Sequence, residues 1–223
     1  MKESILIIDF GSQVTKLIAR RIRELGVFSQ IISYSDLKKN IFKEGFIKGI
    51  IFSGGPRSVD EKNAPKIPKY VYEAGIPVLG ICYGLQLIAK QFGGKVIKSH
   101  DREFGKTNLE LKKESPLLEK VFLKKKNQVW MSHSDKVYKI PKNFEKIAST
   151  DNCEFAIIQN LKKKIFGVQF HPEVIHTIRG EKIINNFVNE ICRCSAKWNM
   201  KFFKNNIIED IKNKVGNNKV ICG

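Results

Sequence analysis

A cysteine stands where a predicted buried strand turns into a predicted helix. The segment PVLGICYGLQLIA, residues 77–89, opens with apolar, strand-like residues and continues with helix-like ones, and Cys82 occupies the junction. Partial positive charge at a helix N-terminus stabilises a thiolate, and glycines at positions 80 and 84 permit a tight, strained turn. The segment therefore predicts that Cys82 is a nucleophile. Packing alone is the alternative, because free cysteine is among the most buried residue types.

A histidine and a glutamate follow a second predicted strand, in FGVQFHPEV at residues 166–174. Pro172 ends this strand directly after His171, and Glu173 comes two positions after the histidine. A cysteine nucleophile needs a base nearby, and the base needs a group that orients it. These residues therefore predict a base and its orienting carboxylate. In the alternative interpretation, His171 is a core histidine and Glu173 caps the next helix.

A glycine-rich turn follows a third predicted strand, in IIFSGGPRSV at residues 50–59. The run Ser53-Gly54-Gly55-Pro56 offers exposed backbone N–H groups, which can stabilise the oxyanion of a tetrahedral intermediate. A plain turn is the alternative interpretation. In open α/β sheets reactive groups gather outside the carboxyl ends of the strands, and all three segments lie at such ends.

Composition excludes several classes of protein. Of the 223 residues 42% are hydrophobic and 28% are charged, as in an ordinary globular domain, and no apolar run approaches the roughly 18 residues of a membrane helix. The formal net charge is +18, but the lysines are scattered and no nucleic-acid-binding motif occurs, which favours a basic surface that is solvated or faces an acidic partner. The five cysteines form no paired zinc pattern, and their odd number favours reduced thiols in the cytoplasm. Cys192 and Cys194 fall on different faces of a predicted helix, so no shared metal site is expected.

Strands and helices alternate from SILIIDF to GLQLIAKQFGG, which indicates a parallel sheet covered on both faces. From about Lys95 to Gln169 the segments become shorter and alternate in polarity, which indicates antiparallel additions. A closing helix is predicted in TIRGEKIINNFVNEICRCSAKW, residues 177–198. The expected fold class is α/β: an open, doubly wound, flavodoxin-like and mostly parallel sheet with antiparallel additions, in one domain of residues 1–198.

The C-terminal stretch, residues 199–223, has a different character. It offers an amphipathic helix, a Gly-Asn-Asn turn and an apolar VICG segment. We expect it to be a linker and the start of a further domain that is missing from this chain.

The three motifs together resemble a known family. GICYGLQ, SGGPRSV and FHPE are similar to the motifs of the class I, or triad, glutamine amidotransferases. Four further stretches are similar to the amidotransferase domains of the GMP synthetase family: ILIIDFGSQ, REFGK, WMSHSDKV and HTIRGEKIINNFVNEICRC. The resemblance covers residues 4 to about 198, and KVICG resembles the segment that leads into the ATP-binding loop of those enzymes.

The resemblance implies a catalytic role for each motif. Cys82 would attack the side-chain amide of glutamine and form a γ-glutamyl thioester. His171 would act as general base and then as general acid, and Glu173 would orient it. Backbone N–H groups of Gly55 and Tyr83 would form the oxyanion hole.

The resemblance also implies residues that bind the substrate. Gln86 matches the family position that grips glutamine. Ser132, Ser134 and Asp135 correspond to the segment that faces the α-amino and α-carboxylate groups of glutamine. His133, in the same segment, is assigned a structural role.

No cofactor and no metal are implied for this domain. The resemblance implies a synthetase (ATP pyrophosphatase) domain, in cis or in trans, that binds ATP and Mg²⁺ and uses the ammonia to aminate XMP to GMP. A homodimer through that missing part stays open, and neither nucleic acid nor a membrane is an expected partner. Two alternatives remain: another triad glutamine or γ-glutamyl hydrolase, against which REFGK and HTIRG argue, and a catalytically silent flavodoxin-like binding module, against which the intact triad argues.

Overall fold

The computed structural model describes residues 3–42, 45–122, 126–216 and 218–221. Within them the strands are β1 (Ser4–Asp9), β2 (Phe28–Ser33), β3 (Ile47–Phe52), β4 (Val78–Ile81), β5 (Lys95–Leu111), β6 (Lys126–Lys139), β7 (Glu145–Ser149), β8 (Ile157–Asn160) and β9 (Ile165–Val168). The helices are α1 (Thr15–Glu24), α2 (Lys69–Glu73), α3 (Tyr83–Gln91), α4 (Gly180–Asn185) and α5 (Met200–Val215).

The described strands form one mixed sheet in the order β2-β1-β3-β4-β9-β8-β7-β5-β6. The pairings from β2 through β1, β3 and β4 to β9 are parallel, and those from β9 through β8, β7 and β5 to β6 are antiparallel. The expected α/β class, with antiparallel strands added to a parallel sheet, is confirmed. The antiparallel strands are joined to the parallel ones through β9.

Helices cover both faces of the parallel half. In β1 the fully buried side chains alternate between two clusters: Ile5 and Ile7 lie in the cluster that contains residues of α1 and α4. Leu6 and Ile8 lie in the cluster that contains residues of α2 and α3. A strand buried on both faces is apolar at consecutive positions, which explains why this segment has no polar alternation.

Two glycines allow β3, β4 and α3 to approach one another closely. A Cβ atom on Gly84 would lie 2.6 Å from the backbone oxygen of Phe52, the last residue of β3. A Cβ atom on Gly80 would lie 2.6 Å from the backbone of Gly84. The glycines on either side of Cys82 therefore bring the first turn of α3 against the end of β3.

The antiparallel half has longer strands than the sequence predicts. Short segments are expected between Lys95 and Gln169, but β5 and β6 contain 17 and 14 residues and pair with each other. Their register shifts between Lys98 and Glu103. This irregularity breaks the alternation of polar and apolar residues, so that one long strand has the pattern of two short ones.

The closing helix begins later than the prediction of residues 177–198. Arg179 has a left-handed backbone conformation, with a φ of +56°, and α4 starts only at the next residue. Gly180 lies so close to Pro172 that a Cβ atom would collide with the proline carbonyl. The start of the helix is therefore set by packing against the FHPE segment, which a helical periodicity cannot show.

The closing helix also ends earlier than predicted. After α4 the chain continues in a wider helical turn over Asn186–Ile191, and Arg193 has a left-handed φ of +54°. Cys194 therefore lies beyond the helix, so the prediction that Cys192 and Cys194 share one helix is wrong.

The C-terminal stretch contains the predicted helix as α5, over Met200–Val215. Its role as a linker into a further domain stays a prediction, and Cys222 and Gly223 lie outside the described residues. Among the described helices, none is both long enough and apolar enough to cross a membrane.

Replacing Gly84 with alanine is expected to lower the free energy of unfolding by about 3 kcal/mol, because the new methyl group would overlap the Phe52 backbone. Gly93→Ala is the control, since Gly93 has a φ of +90° but no described atom within 4 Å of the new methyl group. It should therefore lose only the left-handed strain of about 1–2 kcal/mol. Urea unfolding followed by circular dichroism measures both losses, and equal losses would contradict the close approach.

Candidate active site

The parallel pairing of β4 with β9 places Cys82 next to the segment that carries His171. Ile81, the last residue of β4, is in register with Val168, the last residue of β9. The Cys82 amide donates a hydrogen bond to the Val168 carbonyl at 2.8 Å. The residues after the two strands therefore leave the sheet side by side, and two motifs distant in the sequence meet.

Cys82 occupies a strained backbone conformation. Its φ of +51° and ψ of −105° are rarely adopted by residues that carry a side chain. The sharp turn allows α3 to begin at Tyr83, so the cysteine lies at the N-terminal end of that helix. The predicted strand–turn–helix corner is confirmed, and it resembles the strained elbow that presents a nucleophile in hydrolases.

His171 lies between the thiol and a buried carboxylate. Its Nδ1 is 2.7 Å from Glu173 Oε1, which leaves Nε2 for the hydrogen bond with Cys82. The Glu173 side chain is fully buried, and its Oε2 has no hydrogen-bond partner among the described residues. The alternative in which Glu173 caps the next helix is wrong, because its carboxylate faces the imidazole and α4 begins only at Gly180.

Burial and hydrogen bonding act on the His171 pKa in opposite directions. Burial lowers it, but the hydrogen bonds and charges of Cys82 and Glu173 outweigh burial and raise the pKa of His171 to about 10. The imidazole is therefore protonated at neutral pH. A protonated imidazole between the Cys82 sulfur and the Glu173 carboxylate is the form that this geometry favours.

The loop after β3 lies against the imidazole and the start of α3. A Cβ atom on Gly54 would lie 3.2 Å from His171 Cε1. A Cβ atom on Gly55 would lie 2.9 Å from the Phe10 carbonyl and 3.3 Å from the ring of Tyr83. The structure thus brings the two predicted oxyanion residues next to each other. Their role in binding an oxyanion stays a prediction.

Asp9, at the end of β1, holds this loop in place. Its Oδ1 accepts hydrogen bonds from the Thr15 hydroxyl at 2.7 Å, the Gly11 amide at 3.0 Å and the Ser53 hydroxyl at 3.4 Å. The Ser53 hydroxyl also accepts a hydrogen bond from the Phe10 amide at 3.0 Å. One carboxylate therefore ties the ends of β1 and β3 together beneath the glycine loop.

The predicted substrate-binding residues lie on β6 and α3. The Ser132 carbonyl is 3.7 Å from Cys82 Sγ, and the Ser132 side chain is exposed. Ser134 is half-buried and Asp135 is buried. Gln86 is buried, and its Nε2 donates a hydrogen bond to the Asp135 carbonyl at 2.7 Å. The structure brings Ser132 to the thiol, and substrate binding by the four residues stays a prediction.

Gln169 and Thr177 contribute to the site, although neither belongs to the residues singled out from the sequence. Gln169 Nε2 lies 3.7 Å from Cys82 Sγ. The Thr177 hydroxyl donates a hydrogen bond to the His171 carbonyl at 2.6 Å and accepts one from the Trp130 amide at 3.0 Å. A polar side chain that directly follows the apolar strand β9, two positions before the histidine, is a signal that could identify Gln169. No comparable signal marks Thr177.

His133 forms a second buried pair with a carboxylate. Its Nε2 lies 3.2 Å from Glu103 Oε2, and its Nδ1 lies 3.0 Å from the Asp135 carbonyl. Burial raises the Glu103 pKa, but hydrogen bonds with His133 and Thr107 outweigh burial and hold that pKa below its usual range. The described hydrogen bonds of His133 do not reach Cys82, which is consistent with a structural role.

The other described cysteines are free thiols whose surroundings favour the neutral form. Burial raises the pKa of Cys153 to about 12 and that of Cys194 to about 11, and it also raises that of Cys192. Within the described part of the chain, no group of three or more His, Cys, Asp or Glu side chains is placed to hold a metal ion.

Comparison with protein-family models gives a match to the class-I glutamine amidotransferases over residues 6–191. This span includes Cys82, His171 and Glu173 and covers most of the chain. The chain therefore belongs to the class I glutamine amidotransferase family, and the resemblance noted in the sequence is confirmed.

Several curated proteins are similar to this chain over nearly its whole length. The chain is 48% identical over 221 residues to the glutamine-hydrolysing GMP synthases of Caldanaerobacter subterraneus subsp. tengcongensis and of Clostridium botulinum (strain Kyoto). Each alignment covers 99% of this chain and 43% of the relative, so the chain spans less than half the length of these relatives. A crystal structure of a proposed GMP synthase subunit from Thermoplasma acidophilum is similar with a TM-score of 0.74 and 31% identity, covering 86% of this chain and 95% of that protein.

Iodoacetamide is expected to alkylate Cys82 before Cys153, Cys192 and Cys194, because His171 favours the thiolate of Cys82 while burial keeps the other three thiols neutral. Mass mapping after a short exposure at neutral pH gives the order of labelling. The unfolded protein is the control, in which the four thiols should react at similar rates. First labelling of Cys192 or Cys194 in the folded protein would contradict this assignment.

The His171 imidazole is expected to titrate near pH 10, and the Glu173→Gln variant should titrate closer to the ordinary value of 6.5, because the amide removes the negative charge beside the ring. Since the folded-state pKa is raised, the pair stabilises the fold fully below pH 6.5 and loses this contribution as the pH rises towards about 10. NMR titration of the histidine side chains measures both values. The same pKa in parent and variant would show that Glu173 does not set it.

Proposed function

We propose that this chain hydrolyses glutamine through a thioester on Cys82 and supplies the ammonia to a GMP-forming synthetase. One observation carries the proposal: a thiol on a strained corner is hydrogen-bonded to an imidazole that a buried carboxylate holds. This is the arrangement of nucleophile, proton carrier and orienting group that covalent catalysis requires. Membership of the class I glutamine amidotransferase family supports it.

In the first half-reaction the Cys82 thiolate attacks the side-chain amide carbon of glutamine. The oxygen of the amide becomes an oxyanion, and the backbone N–H groups of Gly55 and Tyr83 are proposed to stabilise it. His171 then gives its proton to the amide nitrogen, the C–N bond breaks and ammonia leaves a γ-glutamyl thioester behind. Before the attack His171 acts as the general base that takes the Cys82 proton, and its raised pKa favours the protonated ring that then serves as the general acid.

In the second half-reaction His171 is neutral and acts as a base. It takes a proton from the water that attacks the thioester, the C–S bond breaks, and glutamate leaves. The thiolate and the imidazolium are then restored together. Glu173 contributes to both halves, because it fixes the ring through Nδ1 and stabilises the cationic form.

We place the α-amino and α-carboxylate groups of glutamine at β6. Ser132 is exposed and adjoins the thiol, with Ser134 and Asp135 next on the same strand. Both described hydrogen bonds of the Gln86 side chain use Nε2, which leaves Oε1 for the substrate. The sequence motif and this geometry together support the assignment.

The curated relatives support a synthetase partner. They are named glutamine-hydrolysing GMP synthase, and this chain covers 43% of each. We infer that a synthetase portion, in cis or in trans, binds ATP and Mg²⁺ and uses the ammonia to aminate XMP to GMP. The free thiols of Cys82, Cys153, Cys192 and Cys194 suit a reducing compartment, which supports a cytoplasmic location.

Cys82→Ala is expected to abolish ammonia release from glutamine without unfolding the protein. The rate of ammonia release should be nearly as low in His171→Ala, because nucleophile and proton carrier act as one unit. Glu173→Ala should retain more activity, since an orienting group contributes less than the group that carries the proton. Steady-state ammonia release measures this ranking, and the unfolding temperature of each variant controls for loss of structure. Parent-level activity in Cys82→Ala would contradict the assigned roles. So would slower ammonia release in Glu173→Ala than in His171→Ala.

The isolated chain is expected to be a poor glutaminase. Cys82 and His171 expose only 6% and 7% of their surface, so glutamine reaches the thiol only after the site opens. Contact with the synthetase portion can favour the open form through a population shift. Addition of that portion with ATP and XMP should raise glutamine turnover about tenfold or more, equal to about 1.4 kcal/mol of barrier. Full activity without the partner, unchanged on mixing, would contradict this coupling.

A further inference from the structure

The buried amide of Gln169 contacts the reacting sulfur. Gln169 is 0% exposed, and its Nε2 lies 3.7 Å from Cys82 Sγ, which is within hydrogen-bonding distance for sulfur. Gln169 lies two positions before His171 in the short segment that follows β9. The sulfur is therefore approached by an imidazole and an amide from the same segment, and the mechanism above leaves the amide without a role.

A chain of hydrogen bonds determines which end of this amide faces the sulfur. The Asp135 carbonyl can only accept, and it lies 2.7 Å from Gln86 Nε2, so Gln86 turns its NH₂ group this way. The same NH₂ group donates a hydrogen bond to Gln169 Oε1 at 3.3 Å. If the Gln169 amide were flipped, its NH₂ group would face the NH₂ group of Gln86, and no hydrogen bond could form between them. Its carbonyl oxygen would then face the sulfur. The NH₂ group of Gln169 is therefore the end that faces Cys82.

The surroundings of the sulfur make this donor important. The Ser132 carbonyl lies 3.7 Å from Sγ, where it accepts a hydrogen bond from a neutral thiol but repels a thiolate. His171 is hydrogen-bonded to the sulfur, with the Glu173 carboxylate behind the ring, and the Cys153 thiol lies within electrostatic range. The Gln169 amide thus supplies a neutral donor that offsets the repulsion from the carbonyl.

We propose that Gln169 is a further catalytic residue: its NH₂ group donates a hydrogen bond to Cys82 Sγ and favours the thiolate, while Gln86 is a positioning residue that holds the amide. The inference rests on the proposed function, because it assigns a second partner to the same nucleophile. Gln169 transfers no proton. Its hydrogen bond weakens when the sulfur becomes a thioester and forms again when hydrolysis releases the thiolate.

Alkylation of Cys82 by iodoacetamide tests this role without glutamine turnover. Gln169→Leu keeps the side chain close to its original size and removes the donor, so alkylation at pH 7 should slow about tenfold or more. The slowing should disappear at alkaline pH, where the thiolate forms in both proteins. Gln159→Leu is the matched control, because Gln159 is also buried but its amide contacts Ser115 and Glu145. Its alkylation rate should stay within about twofold of the parent rate.

Gln86→Leu is the second variant. It removes the hydrogen bond that holds the Gln169 amide and leaves Gln169 itself in place, so it still tests the proposal if Gln169→Leu does not fold. It should slow alkylation in the same direction but less, and the double variant should be no slower than Gln169→Leu, because the two residues act in one chain. Parent-like rates in both single variants would overturn the proposal. A slowing that persists at alkaline pH would also overturn it, because altered access would then be the cause.

Glutamine turnover separates this inference from the proposed function. With the synthetase portion present, an inactive parent would refute the function, whereas the alkylation rates would still decide the role of Gln169. An active parent with unchanged turnover in Gln169→Leu would overturn the role of Gln169 and leave the function intact.

Discussion

The parallel pairing of β4 with β9 is the interaction on which the rest of the site depends. It sets the last residues of the two strands in register, so that Cys82 and His171 leave the sheet as neighbours. Between these strands in the sequence lies almost the whole antiparallel half, and the β8–β9 hairpin returns the chain to the edge of β4. The antiparallel half therefore does more than extend the sheet, because it brings His171, the proposed proton carrier, to Cys82, the proposed nucleophile.

Burial gives the site its electrostatic character. The Glu173 side chain is fully buried and bonds His171 Nδ1, so its charge is compensated mainly by the imidazolium. In a medium of low dielectric such a pair interacts more strongly than on the surface, and this outweighs the tendency of burial to neutralise the ring. The same low dielectric strengthens the hydrogen bond from the Gln169 amide to the Cys82 sulfur, and it also strengthens the repulsion between a thiolate and the Ser132 carbonyl.

Local chemistry was predictable from the sequence, and contacts between distant segments were not. The corner at Cys82 follows from an apolar strand, two glycines and a helical pattern within 13 residues. The pairing of His171 with Glu173 follows from two residues in one short segment. The pairing of β9 with β4, which brings this segment to Cys82, does not follow from the sequence. The hydrogen bond between Asp9 and Ser53 depends on two pieces of chain, the ends of β1 and β3, meeting in space, and no periodicity records such a meeting. The true start of α4 likewise depends on packing against Pro172.

Trapping of the acyl-enzyme tests whether Cys82 is the nucleophile in glutamine hydrolysis. The chain is mixed with glutamine and the synthetase portion and quenched in acid within one turnover, and its peptides are then mapped by mass. One γ-glutamyl group is expected on the peptide that contains Cys82, and treatment of the adduct with hydroxylamine should remove it. Turnover of glutamine with no adduct on Cys82, or with the γ-glutamyl group on another residue, would contradict this role of Cys82.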